Sequence, residues 1–220
     1  MKRESPRIRR LRSDHRALEQ LREDSTIFDF SADGECAEIY TVSFSGAGLW
    51  RPADQKIGRM FRQSLNEVVI RNDHKVRIEL GASYPRMMPN LSWLTPIFHP
   101  NISSAGVVCL GEYGTYWAPS LDLAELCHML WDMIRYQNYD VDSPYNREAA
   151  IWAKEQTMFH FPVDPRPLRD KIALSKTLKT ESPPIATPPP DITILSVDSP
   201  VLEAELVNEE DPDEGILFLD

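Results

Sequence analysis

Phe98-His99-Pro100-Asn101-Ile102, Gly106-Val107-Val108-Cys109-Leu110 and Trp117-Ala118-Pro119 follow one another in a stretch with almost no regular periodicity. Tyr84-Pro85-Arg86-Met87-Met88-Pro89 leads into it. Compact domains seldom hold a connection this long without secondary structure, and those that do often use it for function. The stretch separates strand-like from helix-like sequence, so its position fixes the order of the fold. It also carries a thiol, Cys109.

Upstream, Ile8, Leu11, Leu18 and Leu21 fall near helical spacing with Arg9, Arg10, Arg12 and Arg16 between them, which predicts an amphipathic helix over 7–21. Short runs rich in β-branched and aromatic residues follow at 27–30, 38–44, 68–70, 76–80 and 91–94. Ala32-Asp33-Gly34, Ser45-Gly46-Ala47-Gly48 and Arg71-Asn72-Asp73-His74 read as turns between them, giving a meander of about four antiparallel strands. Downstream, residues 121–136 place Leu123, Leu126, Cys127, Leu130, Met133 and Ile134 on one face of a central helix. Further helices are expected at 146–161 and, more weakly, at 167–179. The order is helix, strands, irregular segment, helices, and the fold class is α+β.

The chain is 42% hydrophobic, enough for one core of ordinary size with residues to spare. Its net charge of -10 is local. Residues 1–179 hold 24 basic against 23 acidic groups, whereas 180–220 hold 11 acidic and no basic ones. This predicts a domain at 1–179, a Pro-rich linker at 180–191 and an acidic, disordered tail at 192–220 with two hydrophobic islands. A nearly neutral domain offers no basic stripe beyond the first helix, which excludes a nucleic-acid role. No apolar run reaches membrane-spanning length, so no membrane partner is expected. Met1-Lys2-Arg3-Glu4 leads into alternating charge rather than an apolar segment, which predicts neither a secretory signal nor lipidation and places the chain in the cytoplasm. Three cysteines without ligand spacing predict neither a disulfide framework nor a metal site, and no cofactor is expected.

The quoted elements resemble the Tyr-Pro, His-Pro-Asn, Gly-x-Ile-Cys-Leu and Trp-x-Pro motifs of the ubiquitin-conjugating family. Cys109 lies eight residues after Asn101 and Trp117 eight after Cys109, as in that family. Asp142-Ser143-Pro144-Tyr145-Asn146-Arg147-Glu148-Ala149-Ala150 is similar to its Ser-Pro-x-Asn-x-Glu-Ala-Ala crossover, so the resemblance covers about residues 7–165. It implies a UBC-like fold and a carrier that receives a ubiquitin-like modifier as a thioester on Cys109 from an ATP-dependent activating enzyme. The carrier then passes the modifier to an amine of a protein substrate. A thiol suits this work because thioester exchange is nearly isoenergetic, whereas an amide would trap the modifier.

By the same resemblance Asn101 is the candidate amide donor to the tetrahedral oxyanion. The other reading of Asn101 is an amide that only pins the loop through backbone hydrogen bonds. His99 reads as structural, because an adjacent base would make an avid nucleophile of a thiol that must wait. His99, Pro100, Trp117 and Pro119 support the motif. The gate that orients the incoming lysine falls on Ser143, Asp142 or Asp140, and a helix-capping role stands beside it for each.

The family's first helix docks on the activating enzyme, so Arg9, Arg10, Arg12 and Arg16 are candidate contacts, with a solvated face as the alternative. Arg86 stands where many ligase-using members have an aromatic residue, a departure that leaves a conventional RING ligase open. Two function classes remain, a catalytic carrier and a non-catalytic adaptor of the same fold that binds a ubiquitin-like protein. Presence of Cys109 favours the carrier. A third reading is a carrier in a compact bacterial modification operon for antiviral defence, suggested by Arg86 and the tail.

Overall fold

The computed structural model describes residues 4–52, 68–110 and 117–180. The Pro-rich linker and acidic tail expected beyond Lys179 lie outside the described residues, apart from Thr180.

Helix α1 spans Pro6–Glu23. Ser5 caps it by accepting the Ile8 N–H at 3.3 Å, and Pro6 occupies the first turn, where its missing donor costs nothing. Leu11, Leu18 and Leu21 are buried against the sheet. Each such leucine contributes about 1.5–3 kcal/mol by leaving water.

Four strands follow, β1 (Phe28–Ala32), β2 (Ile39–Trp50), β3 (Val69–Glu79) and β4 (Asn90–Trp93), in one antiparallel sheet of order β1-β2-β3-β4. The alternation expected of a half-buried sheet is present, with Tyr40, Val42 and Phe44 turned inward opposite Ile78, Val76 and His74. This is the α+β order that the sequence predicts, although two expected turns are not turns. Strand β2 continues through Ser45-Gly46-Ala47-Gly48 with a register shift between Ser45 and Gly48, and β3 runs unbroken through Arg71-Asn72-Asp73-His74. The glycines serve close approach instead. A side chain at Gly48 would meet His74 Cε1 at 2.6 Å, and one at Gly46 would collide with the Trp131 ring.

Helix α2 (Leu123–Ile134) packs on this sheet through Leu123, Leu126, Cys127, Leu130, Met133 and Ile134, all buried. It opens with a reciprocal capping box between Asp122 and Glu125. Helix α3 (Arg147–Glu155) is shorter than expected. Gln156 ends it by bonding both the N–H and the carbonyl of Phe159, at 2.8 and 3.1 Å, which turns the chain away. Helix α4 (Asp170–Thr180) starts at Asp170, whose carboxylate accepts the Thr26 N–H at 2.7 Å. Among the described residues no helix is long and apolar enough to cross a membrane.

A second core of Leu49, Val68, Phe98, Tyr136 and Ala149 joins the end of β2 to the irregular segment and to α3. Tyr136, at φ 59° just past α2, stacks on Phe161 at 4.7 Å and donates its hydroxyl to the Phe98 carbonyl. Phe98 brings this core to the start of the irregular segment, whereas Ile102, Val108 and Leu110 around Cys109 belong to the main core.

Candidate functional site

The chain reaches Cys109 by reversing on itself after Asn101. Gly106 makes the turn at φ 79°, its N–H donating to the Ser103 carbonyl at 2.9 Å and its own carbonyl accepting the Trp93 N–H at 2.8 Å. A side chain there would strike the Trp93 carbonyl, so glycine is required on two counts. The returning strand pairs Val108 with Ile102, and the Cys109 N–H donates to the Asn101 carbonyl at 2.9 Å. Backbone bonding therefore sets the thiol beside Asn101, partly exposed.

Asn101 is 3% exposed and pairs with the backbone of Asp140 in both directions. Nδ2 donates to the Asp140 carbonyl at 2.9 Å and Oδ1 accepts the Asp140 N–H at 2.7 Å. Such pairing is the geometry of a loop pin. One carboxylate oxygen of Asp140, Oδ1, accepts the N–H groups of Asp142 and Ser143 at 2.7 and 3.2 Å and so shapes the crossover turn. Asp142 is exposed and pairs with Lys154 at 2.7 Å, and Ser143 is exposed. Of these three, Asp140 alone lines the small recess that Cys109 shares with Asn101, Leu110, Met133 and Asn138.

His99 is fully buried, its ring 4.8 Å from that of Tyr136. Nδ1 accepts the Asn101 N–H at 3.1 Å, which assigns the ring proton to Nε2. Burial pulls its pKa from 6.5 down to about 3, so the ring is neutral and faces away from acid–base work. Pro100 accepts two N–H groups on its carbonyl, from Tyr145 at 2.9 Å and Asn146 at 2.8 Å. Asn146 in turn caps α3.

The sequence did not single out Tyr145, at the variable position of the Ser-Pro-x-Asn element. The charge that the Cys109 sulfur can carry pushes its phenol above its usual range. Spacing gave no signal for this, because the two residues meet only through the Pro100–Asn101 hub.

Trp117 and Pro119 sit outside the recess. Trp117 donates its indole N–H to the Pro85 carbonyl at 2.7 Å and so ties the two loops together. Arg10 is not part of a free basic face. It turns inward, contacts Asp14 Oδ2 at 2.8 Å and the Tyr84 hydroxyl at 3.0 Å, and also donates to the carbonyls of Pro119 and Leu121. Asp14 is fully buried, and its other oxygen accepts the Leu123 N–H at 3.3 Å. Burial raises the Asp14 carboxyl, against the hydrogen bonds of Arg10 and Tyr84. The physical reason for the correction is that α1 buries its Asp14 stripe, and Arg10, one turn earlier, is the cation that compensates it. Arg9, Arg16 and Arg86 are exposed, whereas Arg12 pairs with Glu4 at 2.7 Å and Glu35 at 3.4 Å.

A groove of 470 Å³ follows the outer side of α2 past His128 and Met129 to Gln137 and Asn138. Asn138 also borders the Cys109 recess.

The family model described as ubiquitin-conjugating enzyme matches residues 71–164, which include most of β3 and all of β4, the Cys109 segment, α2 and α3. That match covers 94 of the 220 residues, somewhat less than half of the chain. Ubiquitin-conjugating enzyme E2 5 of Arabidopsis thaliana is 27% identical over 144 residues, covering 64% of this chain and 69% of that protein. Ubiquitin-conjugating enzyme E2 6 of the same plant is 35% identical over 34% of this chain and 42% of its own length. Ubiquitin-conjugating enzyme E2 16 of Schizosaccharomyces pombe is 36% identical over 33% of this chain and 45% of its own. This chain thus spans about two thirds of the first relative and less than half of the other two.

Proposed function

We propose that this chain is a ubiquitin-conjugating enzyme, a carrier that accepts a ubiquitin-like modifier as a Cys109 thioester from an activating enzyme and transfers it to an amine, such as a target lysine. The observation that carries the reading is a partly exposed thiol set by backbone bonds beside Asn101, with His99 buried, neutral and bonded through Nδ1 to the Asn101 N–H. A hydrolase would need a base at the sulfur to activate it against water. A carrier must instead leave its thioester unattacked until an amine arrives, and a thiol without an adjoining imidazole suits that. The Cys109 sulfur displaces the sulfur of the activating enzyme from the modifier's terminal carbonyl, one thioester replacing another. The amine then displaces the Cys109 sulfur, forming an amide.

Asp140 belongs to this reading as a positioning group for the incoming amine, since it borders the recess. Asp142 and Ser143 would act only at the outer rim. The exposed Arg9 and Arg16 would meet the activating enzyme, the loops joined by Trp117 and Arg86 would meet a ligase if one is used, and the protein would work in the cytoplasm. The adaptor reading has no use for a positioned thiol.

Incubating the full chain with ubiquitin, its activating enzyme and ATP should give an adduct that a reducing agent removes. Cys109→Ser should abolish that adduct or convert it to an oxyester that resists the reductant, with the folded state retained. An undiminished reducible adduct in Cys109→Ser would exclude Cys109 as the carrier.

A further inference from the structure

We propose that the side-chain amide of Asn138 is the donor to the tetrahedral oxyanion in the transfer step, a further catalytic residue beside the Cys109 thiol. The proposal rests on the carrier reading above. It starts from the recess that Cys109 shares with Asn101, Leu110, Met133, Asn138 and Asp140. At about 20 Å³ the recess has room for one water-sized atom. Leu110 and Met133, 5% and 1% exposed, wall it with apolar atoms. An oxygen that enters it loses water on that side and needs a donor from the protein.

Most donors around the recess are already spent. The Cys109 N–H serves the Asn101 carbonyl at 2.9 Å, and the Asp140 N–H serves Asn101 Oδ1 at 2.7 Å. The Asp140 carboxylate donates nothing, its Oδ1 accepts the N–H groups of Asp142 and Ser143, and its charge would repel an oxyanion. Asn101 gives one amide N–H to the Asp140 carbonyl at 2.9 Å while its oxygen takes the Asp140 N–H, a pairing that fixes the amide plane and the direction of its second N–H. Asn138 differs. Its main-chain N–H donates to the Asp132 carbonyl at 3.0 Å, beside that of Gln137 at 2.8 Å, which ties its backbone to the end of α2. Its half-buried side-chain amide lines the recess and makes no hydrogen bond among the described residues, so both N–H groups are available there.

In the transfer step the amine nitrogen attacks the thioester carbonyl carbon, forming the C–N bond and moving the π pair onto oxygen. An Asn138 N–H donates to that oxygen while it carries the charge. The ammonium proton passes to solvent. On collapse the oxygen pair re-forms the C=O bond, and the C–S bond breaks with its electron pair on Cys109 Sγ. The products are the amide and the Cys109 thiolate, which solvent reprotonates.

The test uses the full chain in a Cys36→Ser background. Cys109 is loaded to completion by thiol exchange with the thioester of a short peptide ending in Gly-Gly, and the excess is removed. Single-turnover aminolysis by free lysine at neutral pH is then compared with that of Asn138→Ala, which removes the amide, and Asn138→Asp, which keeps its shape but presents only acceptors. Because the amide bonds nothing in the described fold, the urea midpoint of Asn138→Ala should not move. We expect Asn138→Ala to slow aminolysis about 10²-fold, the loss of one oxyanion donor, and Asn138→Asp to slow it further by repelling the oxygen. Slowing by less than about tenfold in Asn138→Ala would overturn the proposal, as would a lowered urea midpoint there, which marks a structural role. An Asn138→Asp rate at or above that of Asn138→Ala would overturn it too, because a carboxylate can help an incoming ammonium but not an oxyanion. Peptide loading needs no activating enzyme. Failure of the ATP-dependent adduct would therefore strike the carrier reading and leave the Asn138 comparison intact.

Discussion

Replacing Asn101 with alanine separates two roles that the same amide can play. As a loop pin it makes two hydrogen bonds to the Asp140 backbone, at 2.9 and 2.7 Å, from a position that is 3% exposed. Each such bond is worth about 1 kcal/mol net, and the Asp140 N–H and carbonyl lose their partner together, so the expected loss is about 2–3 kcal/mol. In a domain of this size that lowers the thermal midpoint by roughly 4–12 °C. With a urea dependence near 2 kcal/mol per molar it moves the midpoint by about 1 M or more. Asn101→Asp should lose nearly as much, because it keeps the acceptor for the Asp140 N–H but sets a carboxylate against the Asp140 carbonyl. Urea unfolding of both variants gives the stability. Single-turnover charging and discharge give the kinetics. A pin slows both steps, whereas an amide acting only as oxyanion donor slows discharge by about 10²-fold and leaves stability alone. An unchanged urea midpoint in Asn101→Ala would refute the pin.

Arg10→Ala leaves the buried Asp14 carboxylate without its cation and should cost about 3 kcal/mol in urea unfolding, while Arg9→Ala and Arg16→Ala, on the exposed side, should stay within about 0.5 kcal/mol. The histidines give a pH signature. The folded-state pKa of His99 is pulled to about 3 and that of His74 to about 4, both by burial, against an ordinary 6.5. The unfolded chain takes up these protons below about pH 6.5 and the folded one does not, so stability falls on acidification, by up to roughly 1.4 kcal/mol per pH unit for each ring until its folded pKa is reached. His99→Asn should flatten that slope by the share of one ring between about pH 6 and 4, and a slope equal to wild type would show that His99 titrates normally.

The elements that could be read from spacing are those whose periodicity serves burial. The α1 stripe and the inward face of α2 were legible because each residue's role follows from its position on one helix. The Cys109 segment was legible from motif order and distance. Gly46 and Gly48 misled because turn chemistry and close approach use the same residue, and only the Trp131 and His74 rings distinguish them. Arg71-Asn72-Asp73-His74 misled because its polar side chains belong to a strand whose His74 is buried and whose neighbours are exposed. The gate residues could not be ordered, since what separates Asp140 from Asp142 is a backbone pairing with Asn101 across 39 positions. Arg10 and Tyr145 share this difficulty: their partners lie far along the chain and no local pattern announces them.

The Arg10 contacts bear on how such a protein can be rebuilt. One guanidinium reaches from α1 to the carbonyls of Pro119 and Leu121 and to the hydroxyl of Tyr84, while Asp14 beside it holds the first turn of α2. The first helix is therefore no detachable handle. A chimera that grafts another relative's helix here, to redirect which upstream enzyme it meets, would import a foreign end for a joint that three distant segments share. Swaps that carry the helix together with the two loops should fold, and swaps of the helix alone should not.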